Sequence, residues 1–210
     1  MQTQDLERER EIERRVIEFQ RNNFEERYVG AHISKLQIPD EYSDYVLGQI
    51  DKFMKNPKNM LVFLSTPGLG KTYFCAALAE WMIRNFNSYR YHKEEGILKK
   101  LRECISEQRG DYLEALKLLT DDEIVIMDDV ASGMNPEKNT YRDYEFRREV
   151  FFSFLDYRYN TMKPTIITSN LTRNQFYEVY SERIESRLFA EENIIIKIFD
   201  SSTDKRKIGM

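Results

Sequence analysis

From Met60 onward, short apolar runs alternate with longer segments whose apolar residues recur at helical spacing. Leu61–Leu64, Tyr89–His92, Ile124–Asp128, Thr165–Thr168 and Ile194–Ile198 read as strands. Three of them are unbroken apolar runs instead of in-out alternations, the pattern of parallel strands buried on both faces. Between the strands, Thr72–Phe86, Glu95–Ser106, Tyr112–Leu119, Tyr144–Tyr159 and Thr172–Tyr180 read as helices. A βαβ series of this kind predicts an α/β fold, a parallel sheet sandwiched between helices in three layers. Ligands of such sheets bind beyond the carboxyl ends of the strands.

The region before Met60 has another character. Asp5–Arg15 is dense in alternating charge and strong helix formers, and Ile12, Val16 and Phe19 then recur at helical spacing, widened by Ile17. A narrow apolar seam on a charged helix suits docking on a partner or folding back on its own domain. Gly30 is expected to end this segment, which divides the chain into a charged N-terminal helix (1–30) and a main domain (31–210). Gln37–Tyr42 reads as a loop leading into a helix through Phe53, closed by Pro57.

Composition narrows the function classes. The 210 residues suffice for one domain with a real core plus a short appendage. With a net charge of −4, the chain as a whole is no electrostatic glove for duplex DNA, so any nucleic-acid contact uses a local basic patch. No signal-peptide pattern or membrane-length apolar run is present, which predicts a cytoplasmic protein. Cys75 and Cys104 lack C-x-x-C spacing and neighbouring histidines, so both read as buried thiols with no zinc module.

The chemistry starts where the first strand ends. Ser65-Thr66-Pro67-Gly68-Leu69-Gly70-Lys71-Thr72 lies between an apolar strand and an amphipathic helix. That order forms a phosphate cradle: loop N–H groups hold anionic oxygens, Lys71 reaches the β- and γ-phosphates, and the Thr72 hydroxyl ligates Mg²⁺. Ser65 stands where the G-x-x-x-x-G-K-[ST] pattern has its first glycine. Gly68 and Gly70 remain where the backbone must bend sharply and approach phosphate.

Three further patterns join it. Ile124-Val125-Ile126-Met127-Asp128-Asp129 delivers two carboxylates to the same sheet edge, Asp128 for Mg²⁺ and Asp129 to polarise a water. Alone, the same pair also reads as a simple turn. Thr165-Ile166-Ile167-Thr168-Ser169-Asn170 ends on an amide able to orient water near a γ-phosphate, although Asn170 and Thr172 are equally good N-caps. Arg183 and Arg187 share one helical face, either paired with Glu182 and Glu185 at the surface or supplied as a finger to a neighbouring subunit.

Taken in order, the Ser65–Thr72 loop, the apolar strand with Asp128-Asp129, T-I-I-T-S-N at 165–170 and E-R-I-E-S-R-L at 182–188 resemble the AAA+ replicative-helicase loaders of the DnaC/DnaI type, which bacteriophages also encode. The lead-in Tyr159–Pro164 is similar to the family's too, and the resemblance covers roughly residues 35–200. It implies a P-loop NTPase core of the AAA+, RecA-like kind without a C-terminal lid, with ATP and Mg²⁺ as cofactors. By the same resemblance Lys71 and Thr72 are the P-loop lysine and metal ligand, Asp128 and Asp129 the Walker B acids, Asn170 the sensor 1 residue, Arg187 the trans-acting finger and Arg183 its companion. Gly96–Arg102 looks like the family's insertion helix, which makes Lys99, Lys100 and Arg102 candidates for single-stranded DNA. An ordinary solvated face explains these three residues equally well.

The pattern is departed from at Ser65, in an N-terminal region of only about thirty residues, and in the 131–142 insert, which reads as a surface loop. Arg206 is the one plausible sensor 2 residue. The function implied is a slow, switch-like ATPase that self-assembles into a ring or spiral through its ATP sites and delivers a DnaB-type replicative helicase to single-stranded DNA. The alternatives are a transposition helper ATPase of the IstB kind, or a phage interaction protein that blocks the host helicase or its loader.

Overall fold

Apolar strands without polar alternation need cover on both faces, and the sheet has no wet face. The computed structural model describes residues 2–107, 111–132 and 141–199. Among them β1 (Met60–Ser65), β2 (Tyr89–Lys93), β3 (Ile124–Val130), β4 (Thr165–Ser169) and β5 (Ile194–Ile198) form one parallel sheet in the order β2-β3-β4-β1-β5. Alternate residues of each strand feed two cores. Val62, Leu64, Val125, Met127 and Ile167 pack with Ile97, Leu101, Phe151, Phe154 and Phe176 on one side. Leu61, Phe63, Ile124, Ile126 and Ile166 pack with Val46, Ile50, Phe53, Phe74 and Met82 on the other. The three-layer α/β fold expected from the sequence is present.

The helices that supply these cores are α1 (Gln2–Asn23), α2 (Asp40–Lys55), α3 (Lys71–Ala77), α4 (Ala79–Asn85), α5 (Glu94–Ser106), α6 (Tyr112–Thr120), α7 (Tyr141–Asn160), α8 (Arg173–Tyr180) and α9 (Glu182–Leu188). Several differ from the sequence expectation. The helix expected over 72–86 is interrupted at Leu78, although Leu78 N–H still reaches Phe74 O at 3.2 Å and Met82 N–H reaches Leu78 O at 3.0 Å, so α3 and α4 continue nearly in line. α1 stops at Asn23, before Gly30, and a 3-10 turn at Glu26–Tyr28 follows. Cys75 is buried as expected, but Cys104 is only half-buried. Most of the expected 131–142 loop, and Arg206, lie outside the described residues.

Two features position the site. First, β4 lies between β1 and β3, with Thr165 level with both Met60 and Val125. The ends of β1, β4 and β3 therefore leave the sheet side by side, bringing Ser65, Asn170 and Asp128 to one edge. Second, the apolar seam of α1 folds back. Ile12 is buried, Phe19 packs edge-on against Tyr89 with centroids 5.4 Å apart, and Arg84 of α4 meets Glu9 at 2.5 Å. Gln20 is fully buried. Its amide donates to Ala31 O (2.9 Å) and Ala76 O (3.0 Å) and accepts from Gly30 N–H (2.8 Å), which ties α1 to α3.

Candidate functional site

The 65–72 loop takes the form its glycines permit. Gly68 (φ 88°) and Gly70 (φ 86°) adopt left-handed conformations that side chains with a Cβ resist. Lys71 is folded onto its own loop: Nζ donates to Ser65 O (2.9 Å), Ser65 Oγ (3.0 Å) and Thr66 O (3.0 Å). Ser65, the departure from the glycine pattern, thus contributes a hydroxyl acceptor that glycine lacks.

Asp128 is fully buried and surrounded by donors. Thr72 Oγ1 (3.0 Å) and Tyr91 OH (2.8 Å) donate to Oδ2, while Thr168 Oγ1 and the more distant Cys75 Sγ (3.6 Å) approach Oδ1. Burial, and then the negative charge of Asp128, push the Cys75 thiol well up, so it stays protonated as a donor. The strand does not end at the acids as the sequence suggested. β3 runs on to Val130, and its register against β4 shifts between Met127 and Val130. Asp129 there takes φ 60°, and its N–H donates to Thr168 Oγ1 at 3.0 Å.

A cleft of about 500 Å³ opens over these groups, lined by Pro67, Gly68, Gly70, Lys71, Thr72, Lys93, Asp129, Ser132, Asn170 and, from the N-terminal segment, Glu25, Arg27 and Tyr28. Asn170 does not cap α8; Thr172 does so, in a capping box with Gln175. Asn170 Oδ1 is instead buried without a hydrogen-bond partner. A buried orphan acceptor at a cleft wall is a group awaiting a ligand or water. The adjoining Thr72 hydroxyl and Asp128 carboxylate are hard oxygen donors of the kind Mg²⁺ takes alongside nucleotide phosphates, so the residues fit that ion.

The profile of the IstB-like ATP-binding protein family matches residues 47–188, about two thirds of the sequence. The chain belongs to that family. No curated protein sequence matches it significantly. Among solved structures it is similar to the DnaC helicase loader, with a TM-score of 0.66 and 22% identity over 82% of this chain and 100% of that one. It is also similar to DnaI (TM-score 0.59, 22% identity, 82% of this chain and 91% of that one). A third match is the replication initiator DnaA bound to AMPPCP and single-stranded DNA (TM-score 0.63, 19% identity); it takes in 85% of this chain but only 53% of DnaA. The fold is therefore the AAA+ P-loop NTPase fold that the sequence motifs pointed to.

For this IstB-like ATP-binding protein, the predicted site residues separate into three groups. The 65–72 loop, Asp128, Asp129 and Asn170 converge. Arg183 and Arg187 do not line the cleft. They sit on α9 against α7, both over the Phe152 ring (4.3 and 5.0 Å), and Arg187 pairs with Asp156 at 2.7 Å, while Glu185, one of the two surface partners the sequence offered as an alternative, pairs with Arg173. Lys99 and Lys100 are exposed on α5, whereas Arg102 reaches Asp143 (3.3 Å) and the Phe146 ring. α5 buries Ile97, Leu98 and Leu101 against the sheet, so it is a core helix with one free face.

Sequence reasoning missed Glu25, Arg27, Tyr28 and Lys93 as cleft residues, and Tyr91 and Thr168 as donors to Asp128. Lys93 was legible in principle, since it closes β2 level with Asp128 of β3. The Glu25–Tyr28 wall carried no local signal, because it reaches the cleft only through the packing of α1.

Proposed function

We propose that the protein is a slow, switch-like ATPase that loads a DnaB-type replicative helicase onto single-stranded DNA. The observation that carries this reading is the division of the catalytic set. Lys71, Thr72, Asp129 and Asn170 line one cleft with Asp128 buried directly behind Thr72, while Arg187 and Arg183 stand apart from it on α9. A second copy that brings its α9 against the cleft completes the site, so bound ATP holds neighbouring subunits together in a ring or spiral.

In that complex the nucleotide phosphates lie on the Gly68–Gly70 backbone, and Lys71 leaves its loop acceptors for the β- and γ-oxygens. Thr72 and Asp128 would hold Mg²⁺, which when bound would neutralise charge building on the phosphates. Asp129 accepts the proton of the attacking water, Asn170 Oδ1 orients that water, and the neighbour's Arg187 stabilises charge on the transferring group. The charged outer face of α1 is the candidate helicase-docking surface, and Lys99 and Lys100 are candidate contacts to the DNA backbone. Among the described residues no helix is long and apolar enough to cross a membrane; the bacterial or phage-infected host cytoplasm is the site of action on this reading.

A second reading is favoured by the family match itself, a transposition helper ATPase that works on duplex DNA. The net charge of −4 weighs against extensive duplex contact. One set of assays separates the two. The loader reading expects ATP-dependent transfer of a helicase to single-stranded circles; ATPase stimulation by duplex without a helicase favours transposition. Arg187→Ala is expected to bind ATP normally and lose turnover, and mixing it with Lys71→Ala subunits is expected to restore part of it. Full turnover by Arg187→Ala as a monomer removes the shared-site mechanism.

A further inference from the structure

The N-terminal segment touches the metal-binding acid through a continuous line of side chains. Phe24, immediately after α1, packs on the ring of Tyr91 with centroids 4.2 Å apart. Tyr91 is buried on β2, and its hydroxyl donates to Asp128 Oδ2 at 2.8 Å. Phe24 is itself held on two sides by Phe19 (6.2 Å) and Tyr28 (6.5 Å), and its N–H donates to Gln20 O at 2.9 Å. Because Gln20 is bonded to Ala76 of α3, the same short stretch of chain grips both the helix that carries Thr72 and, through Tyr91, the strand β2 that pairs with the one carrying Asp128.

The two hydroxyls on Asp128 Oδ2 are not equivalent. Thr72 Oγ1 is a prospective metal ligand, so its hydroxyl would serve both the ion, through a lone pair, and the carboxylate, through its proton. Tyr91 has no such second use. Its hydroxyl is a donor that serves Oδ2 alone, and its ring is placed by Phe24. We propose that Tyr91 is a positioning residue for Asp128, and that the Phe24–Tyr91 contact makes the seating of the N-terminal segment a determinant of the magnesium-dependent part of nucleotide affinity. The inference rests on the reading of the cleft as the ATP site.

The test uses the full chain and a fluorescent ATP analogue titrated with Mg²⁺ or with EDTA. Tyr91→Phe removes one oxygen and no packing volume. It is expected to weaken binding about three- to tenfold with Mg²⁺, the effect of one buried hydrogen bond, and to leave the EDTA affinity unchanged. Phe24→Ala, which touches neither Asp128 nor nucleotide phosphate, is expected to give the same signature. Its effect is expected to shrink in the Tyr91→Phe background, as coupled residues require. Phe24→Leu replaces it should the alanine variant not fold, and Phe24→Tyr is expected to restore wild-type behaviour. Equal losses with Mg²⁺ and with EDTA mark a merely structural role and overturn the proposal, as does an unchanged Mg²⁺ affinity in Tyr91→Phe. Lys71→Ala distinguishes the two levels: retained binding defeats the ATP-site reading, whereas lost binding beside an unaffected Tyr91→Phe defeats this inference alone.

Discussion

The two edges of the sheet are built on opposite principles. At the amino edge, Arg158 is fully buried and donates to Thr120 O (3.1 Å), Asp122 O (2.6 Å), Glu123 O (3.2 Å), Pro164 O and Thr165 Oγ1 (2.8 Å), closing the entries to β3 and β4. Burial lowers its pKa to about 10, which still leaves it cationic at neutral pH. Asn193 does the same for β1, accepting from Met60 N–H (3.1 Å) and donating to Arg187 O (2.7 Å) and Leu188 O (3.1 Å). At the carboxyl edge, Asn170 Oδ1 has no partner, and Asp129 and Ala131 join Gly68 and Gly70 at positive φ. Among the described residues, the turn into β4 at the amino edge also carries a positive φ, at Met162 (50°). Strain and an unspent acceptor collect where a ligand is to arrive, while the opposite edge satisfies its polar groups and holds the strands in register.

The contrast breaks most visibly at Arg158. Arg158→Met keeps the apolar stem but leaves several buried carbonyls without donors. It is expected to cost about 3–5 kcal/mol in urea unfolding while leaving the nucleotide affinity of the folded fraction unchanged. A loss below about 1 kcal/mol would mean that water reaches this edge and that the comparison is wrong.

Asn170→Ala probes the other edge and reverses the pattern. It removes an atom that bonds to nothing, so urea stability is expected to hold within about 0.5 kcal/mol. Turnover is expected to fall roughly a hundredfold, the scale of losing one group that acts on the transition state. A clear loss of stability with unchanged turnover would instead assign Asn170 to the scaffold.

These two residues also show what the sequence reveals and what it hides. The convergence of the 65–72 loop, the acids and Asn170 was legible because each terminates an apolar run, and a parallel sheet delivers all such ends to one edge. Arg158 was not, since an arginine in a helical pattern resembles any solvated charge until the turns that surround it are in place. Glu94 and Arg147 were hidden in the same way: both are buried as a pair, with Glu94 also accepting from Tyr180 OH (2.6 Å) and Ala131 N–H (2.8 Å). The placement of β4 between β1 and β3 was equally invisible, because strand order depends on long-range register and not on local pattern. The fate of the α1 seam was open for a related reason. Its apolar spacing specifies a face to be covered, and only the packing of Phe19 and Gln20 reveals what covers it.

Ser65 sharpens the comparison at its smallest scale. It ends β1 at the carboxyl edge, yet its hydroxyl accepts from Lys71 there and helps hold that side chain on the loop. On the proposed reading of the cleft, nucleotide displaces that bond together with the two carbonyl contacts. Ser65→Ala removes the hydroxyl and is expected to raise ATP affinity about three- to tenfold, the range for one charge-assisted hydrogen bond partly replaced by water. Ser65→Gly, the residue the motif normally has at this position, is expected to gain similarly in affinity while losing about 0.5–1 kcal/mol of stability to the added backbone freedom. Isothermal titration beside urea unfolding reads both quantities. Unchanged or weaker binding in both variants would show that the lysine's contact with Ser65 exerts no hold, and that the serine at this position is only tolerated.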